Sequence, residues 1–208
     1  MNKAERENYE LDDYLQQVLV GNILGDVHMR RFSENSNVRV IFRQGSTNAS
    51  YLLHSYELFQ KFVASPPSVS TILDSKTGKS RYNLSFSTLA LPCFNKLYES
   101  FYVNKIKIIP SNISDILTPV SLAYWIMDDG SFTGSGLKIS TNSFSSKDLD
   151  LLINALEKNF SIKASRNIQY KDKSQYTLYI TKAQLPLVRS LVKDYMHPDM
   201  LYKLGPSI

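Results

Sequence analysis

The chain has 208 residues, 43% of them apolar, which is enough to bury a core in one domain or in two small ones. Lys and Arg number 24 against 19 Asp and Glu, giving a net charge of +5 and an isoelectric point near 9.1, a balance that favours a polyanionic partner. A single cysteine, Cys93, excludes an internal disulfide, a thiolate zinc site and a redox pair, and points to a reducing compartment.

The N-terminal stretch from Met1 to Gln17 is charged and lacks the apolar core of a signal peptide, and no apolar run approaches membrane-spanning length. The expectation is a protein that is neither secreted by this route nor embedded in a membrane. His28, His54 and His197 are scattered, without the spacing that would gather them on one metal.

In chain order, the first strong periodicity puts Leu15, Val18, Leu19, Ile23 and Leu24 at helical spacing, broken by Gly25-Asp26. Val38 to Gln44 is rich in β-branched residues and predicts a strand, and an amphipathic helix follows over about Ser50 to Ala64. Ser65-Pro66-Pro67-Ser68 reads as a loop, Ser80 to Thr88 as a strand, and Leu91 to Phe101 as a helix with Lys107 after it. Ile109-Pro110-Ser111-Asn112 marks a boundary, so the chain divides into halves 1–110 and 111–208.

The order then repeats. Thr118-Pro119 supplies an N-cap and a first-turn proline, Leu122 to Met127 is apolar on every side, and Asp128-Asp129-Gly130 ends the helix. Leu137 to Asn142 alternates as a strand does, and Ser145-Ser146-Lys147-Asp148 opens a helix with Leu149, Leu152, Ile153, Leu156 and Phe160 on one face. A strand over Tyr176 to Thr181 and a helix over Gln184 to Tyr195 precede Lys203. With a period of half the chain, the pattern is an internal duplication in which each half begins on a buried helix delivering a carboxylate at its C-terminal end.

Leu19-Val20-Gly21-Asn22-Ile23-Leu24-Gly25-Asp26-Val27 and Leu122-Ala123-Tyr124-Trp125-Ile126-Met127-Asp128-Asp129-Gly130 resemble two copies of the LAGLIDADG motif of homing endonucleases. With SPP, FNKLY, IIP and MLYKL at matching places, the chain from about Leu15 to Leu204 is most similar to the single-chain enzymes encoded by yeast mitochondrial introns. The resemblance implies an α/β (α+β) fold of two αββαββα halves related by a pseudo-twofold, with the motif helices at the centre and two curved antiparallel sheets forming a DNA-binding saddle. It assigns catalysis to Asp26 and Asp129, one per motif, and to Lys107 and Lys203. Val27 departs from the glycine that usually ends the first motif, and Tyr124 and Asp128 stand where small residues let the helices approach closely.

What the resemblance implies is chemically coherent. Hydrolysis of a phosphodiester needs in-line attack by water and stabilisation of the attacking and leaving oxygens, which two magnesium ions about 4 Å apart can supply. Carboxylates at the negative ends of helix dipoles suit a hard cation, with the backbone carbonyls of Gly25 and Asp128 as further ligands. Mn2+ is expected to substitute, and Ca2+ to bind without supporting cleavage. The lysines would stand near the scissile phosphates. The partner is double-stranded DNA with a long, near-asymmetric site bound by a monomer, and the compartment is the mitochondrial matrix or another organelle.

Strand side chains that follow a major groove read guanine through Arg, and adenine through Asn or Gln. The candidates are Arg30, Arg39, Arg43 and Gln44 in the first half and Lys138, Asn142, Arg166, Gln169, Lys171 and Lys173 in the second. The 13 tyrosines and 10 phenylalanines are assigned to core and sheet packing rather than to base stacking. Two rivals remain: an intron RNA maturase of the same fold, and a noncatalytic DNA-binding relative. The second would ordinarily have lost one metal-binding carboxylate, and both aspartates are present.

Overall fold

The computed structural model describes residues 3–73, 78, 80–170 and 175–206. The elements are α1 (Lys3–Glu7), α2 (Asp13–Leu24), β1 (His28–Arg31), β2 (Val38–Gly45), α3 (Ala49–Phe59), β3 (Ser68–Leu73), β4 (Ser80–Ser87), α4 (Asn95–Phe101), and the two-residue strands β5 (Tyr102–Val103) and β6 (Ile106–Lys107). There follow α5 (Ile113–Ile116), α6 (Pro119–Asp129), β7 (Gly130–Phe132), β8 (Gly136–Ser140), α7 (Ser146–Phe160), β9 (Ala164–Tyr170), β10 (Gln175–Thr181) and α8 (Leu185–Val192), and a 3-10 segment over Pro198–Leu204. Set aside α1, α5 and the short hairpin, and each half runs αββαββα, as the resemblance implies.

The sequence pattern missed β1, β3, β7 and β9. Two are only three or four residues long, too short to show alternation, while β3 is exposed throughout and has no buried face to pattern. Ser68, at the end of the expected loop, opens β3.

The chain packs as two compact units: residues 1–15 with 26–98, and 16–25 with 99–208. The first motif helix thus belongs, over Gln16–Gly25, to the unit that holds the second half. In the first unit an antiparallel sheet has the order β1-β2-β4-β3. Its buried face carries Phe42, stacked on Phe86 at 4.5 Å and tilted against Phe59 at 5.1 Å, with Phe62 and Phe94 continuing the cluster. These aromatics are core, as expected from the sequence.

The second unit has a sheet of the same design, β7-β8-β10-β9. Its central helix α6 starts with a capping box: Thr118 Oγ1 accepts from the Ser121 amide, and Ser121 Oγ accepts from the Thr118 amide at 2.7 Å. Every residue from Val120 to Met127 is buried. A second capping box, Ser145 with Asp148, opens α7, whose Leu149, Leu152, Leu156 and Phe160 are buried while Ile153 is half-buried. Asp148 also accepts from the Ile109 amide at 3.0 Å, tying the inter-half segment to α7.

The two motif helices pack through glycine on one side only. A Cβ on Gly21 would lie 2.3 Å from the Ser121 carbonyl oxygen and 2.8 Å from Tyr124 Cβ, and a Cβ on Gly25 would lie 2.4 Å from Asp128 Cβ. The large residues of the second motif are therefore accommodated by glycines of the first, which lets the backbones approach despite Tyr124 and Asp128. The crowding at Gly21 involves backbone, which cannot yield. We expect Gly21→Ala to destabilise the fold by about 1–3 kcal/mol through overpacking. A denaturant midpoint equal to that of the unsubstituted protein would contradict this packing.

Candidate active site

The helix ends bring Gly25 against Asp128, the residues immediately before the two motif aspartates, Asp26 and Asp129. Each carbonyl at these ends is held by a lysine. Lys107 Nζ donates to the Gly25 carbonyl at 3.0 Å, and Lys203 Nζ donates to the Asp128 carbonyl at 2.9 Å and to the Met127 carbonyl. A cation on the last carbonyls of a helix is favoured by the unpaired acceptors and by the dipole. Asn22, in the last turn of α2, donates from Nδ2 to Asp128 Oδ2 at 3.2 Å, so the first carboxylate of the DD pair is engaged across the helix interface.

The two lysines reach these places by different devices. Lys107 lies on a hairpin, β5-β6, whose turn residues Asn104 and Lys105 both take positive φ, 51° and 65°, as a two-residue hairpin turn requires. Lys203 lies in the segment Pro198–Leu204, anchored by buried Met200 and Leu204 and by Arg189, which donates to the Leu204 carbonyl at 2.7 Å. Lys107 is half-buried, whereas Lys203 is 6% exposed. The sequence gives no sign of this difference, because both are lone lysines near the end of a half.

Gln44 corrects the base-reader assignment. Along β2 the burial alternates, so Val38, Val40, Phe42 and Gln44 share the covered face while Arg39, Ile41 and Arg43 share the open one. Gln44 donates from Nε2 to Asp26 Oδ2 at 2.8 Å and accepts at Oε1 from Asn48 Nδ2 at 3.2 Å. It orients the first motif aspartate instead of projecting from the sheet. The buried neighbours Val40 and Phe42, two apart, were the available signal.

Arg166 is corrected for the same reason. It pairs with buried Leu178 in β9–β10, so its side chain is on the face covered by α7, where it bonds Asp150 and Ser146 and lies 5.5 Å from the Tyr176 ring. Arg30 and Arg39 are exposed and directly opposed across β1–β2, and Arg43 is exposed four residues on. Lys138 is half-buried between Ser131 and Tyr179 in register, and Gln169 is exposed on β9. Asn142 is half-buried just past β8, with its Oδ1 buried and unpartnered. Lys171 and Lys173 lie outside the described residues.

Burial pushes the Cys93 thiol up to about 11, which keeps it protonated near neutrality. No helix among the described residues is long and apolar enough to cross a membrane.

Two glycine-packed helices, each ending at an aspartate beside a lysine-held carbonyl and each followed by a four-stranded antiparallel sheet, define a duplicated two-motif protein of the LAGLIDADG class. The chain belongs to the LAGLIDADG DNA endonuclease family, whose sequence model matches residues 16–188. It is 34% identical over 98% of its length to the cytochrome b mRNA maturase bI2 of Saccharomyces cerevisiae, and spans about half (51%) of that protein. It is 32% identical to a probable intron-encoded endonuclease 1 of Wickerhamomyces canadensis, covering 91% of this chain and 83% of the relative. Among solved structures, the homing endonuclease I-WcaI bound to its DNA recognition sequence superposes with a TM-score of 0.91 at 28% identity, over 99% of this chain and 92% of the other.

Proposed function

We propose that this chain is a site-specific homing endonuclease that makes double-strand breaks in a long, near-asymmetric DNA target by metal-dependent phosphodiester hydrolysis. The observation that carries the reading is the pair of helix ends at Gly25 and Asp128, each pinned by a lysine and each followed by an aspartate. The likeness to DNA-bound I-WcaI over nearly the whole chain supports it.

The donors suit magnesium. Asp26, Asp129 and the adjoining carbonyls are hard oxygen ligands, and Mg2+ is commonly held by one or two carboxylates, with waters and substrate phosphates completing its shell. The larger acidic or histidine cluster that is absent among the described residues is therefore not required. When bound, the metal supplies charge stabilisation at the attacking and leaving oxygens and lowers the pKa of water. Gln44 holds the Asp26 carboxylate in place through Oδ2. Lys107 and Lys203 fix the Gly25 and Asp128 carbonyls beside the two motif aspartates. Mn2+ replaces Mg2+, and Ca2+ supports binding without cleavage.

The chain works as a monomer on double-stranded DNA, in the mitochondrial matrix or another organelle. Selection of cleaved sites from a randomised duplex library in magnesium tests the reading, and enrichment of no sequence would overturn it. Affinity for the selected site should fall steeply with salt, with a log–log slope of several units, because phosphate contacts release counterions; a flat plot would argue against a DNA-covered basic face. The identity to a maturase favours a second reading, assistance of intron RNA splicing, and the intact aspartates let cleavage be retained beside it.

A further inference from the structure

The open face of the first sheet carries a row that core packing does not explain. On β2 the outward residues are Arg39, Ile41 and Arg43; across β1, Arg30 opposes Arg39 and His28 opposes Ile41, and across β4, Ser87 opposes Ile41 and Ser85 opposes Arg43. Arg30, Arg39, Ile41, Ser85 and Ser87 line a cleft of about 740 Å3. Directly opposed cations repel, and neither the Arg39 nor the Arg43 side chain has a hydrogen bond or ion pair to the rest of the described chain. Both guanidiniums are thus available to an external acceptor.

Ile41 is the anomaly. It is half-buried in the cleft, between two cations along the strand and between a histidine and a serine across it, with its back to the aromatic core that Phe42 enters on the other face. Such a place suits an apolar contact supplied by a ligand. In a major groove the only apolar group displayed by any base is the 5-methyl of thymine, and the commonest specific arginine contact is bidentate to guanine O6 and N7. Residues i and i+2 of a strand are about 6.6–6.8 Å apart, close to two base-pair steps of about 3.4 Å, so side chains along β2 meet bases in order. The short Ser85 and Ser87 side chains leave room for the base edges to approach.

We propose that β2 reads a guanine, a thymine and a guanine in that order in the half-site bound by the first sheet, with Ile41 packed on the thymine methyl between bases held by Arg39 and Arg43. The proposal rests on the endonuclease reading and specifies its substrate. The test begins from a site selected by cleavage of randomised duplex DNA, in which each thymine is then replaced in turn by deoxyuridine, which lacks only the methyl. At one thymine, with guanine positions two base pairs away on either side, relative kcat/KM should fall about fourfold, the factor that corresponds to ~0.8 kcal/mol for one buried methyl. Ile41→Ser should cut the thymine and deoxyuridine sites equally, and Arg39→Ala and Arg43→Ala should each relax one of these guanines. A selected site with no deoxyuridine-sensitive thymine in the wild-type protein overturns the proposal while leaving the endonuclease reading standing, as does sensitivity that survives in Ile41→Ser. Selection of no sequence overturns both.

Discussion

Asp26→Asn and Asp129→Asn should each abolish double-strand cleavage while leaving site-specific binding within a few-fold of the unsubstituted protein. Asparagine keeps the size of the side chain but removes the negative charge that a hard cation needs. A metal site contributes several kcal/mol of transition-state stabilisation, and about 4 kcal/mol corresponds to roughly a thousandfold in rate. Neither substitution alters the sheet faces, so binding is expected to persist. The Asp26 variant still offers an oxygen to Gln44 Nε2, which now donates at 2.8 Å, so its fold is expected to hold as well. The decisive measurement is single-turnover cleavage of each labelled strand alongside equilibrium binding. Full-rate cutting by either variant would remove that aspartate from the chemistry.

The second large effect separates the two lysines. Lys203 is buried and caps the Met127 and Asp128 carbonyls, so Lys203→Met leaves interior acceptors without a donor. A hydrogen bond to a charged group contributes about 1.5–3 kcal/mol. For a chain of this size that lowers Tm by roughly 4–10 °C, and cleavage falls with it as Asp129 loses its fixed neighbour. Lys107 is half-buried and donates to the Gly25 carbonyl at 3.0 Å. Lys107→Met should therefore leave Tm within a degree or two while slowing the single-turnover rate by on the order of a hundredfold, as expected for a charge acting near the transition state. Equal losses of Tm in the two variants would show that both lysines are structural. Unchanged cleavage in both would leave only the aspartates.

The two lysines look alike in sequence and differ in space. The pseudo-repeat delivers each to the carbonyl before a motif aspartate, yet one arrives on a two-residue hairpin and the other on a 3-10 segment locked down by Met200, Leu204 and Arg189. Burial follows from the carrier.

Much of the molecule was legible in the amino-acid order alone. The duplication, the caps at Thr118 and Ser145, the fully apolar run of α6 and the aspartates ending both motif helices are local: each depends on residues within one turn or one repeat period. Which face of a strand is covered is not local. Gln44 lies at Asp26 and Arg166 at Asp150 rather than on the open faces, because a one-residue change of parity sends a side chain to the opposite face; beside Gln44 the apolar Val40 and Phe42 share its parity, whereas for Arg166 the pairing with buried Leu178 is seen only in the fold. Likewise the amino-acid order shows Tyr124 and Asp128 as bulky for a helix crossing, but only the three-dimensional fold shows that Gly21 and Gly25 lie opposite them and make the room. Contact between residues about a hundred positions apart is decided by the shape of both surfaces together, and neither segment carries it by itself.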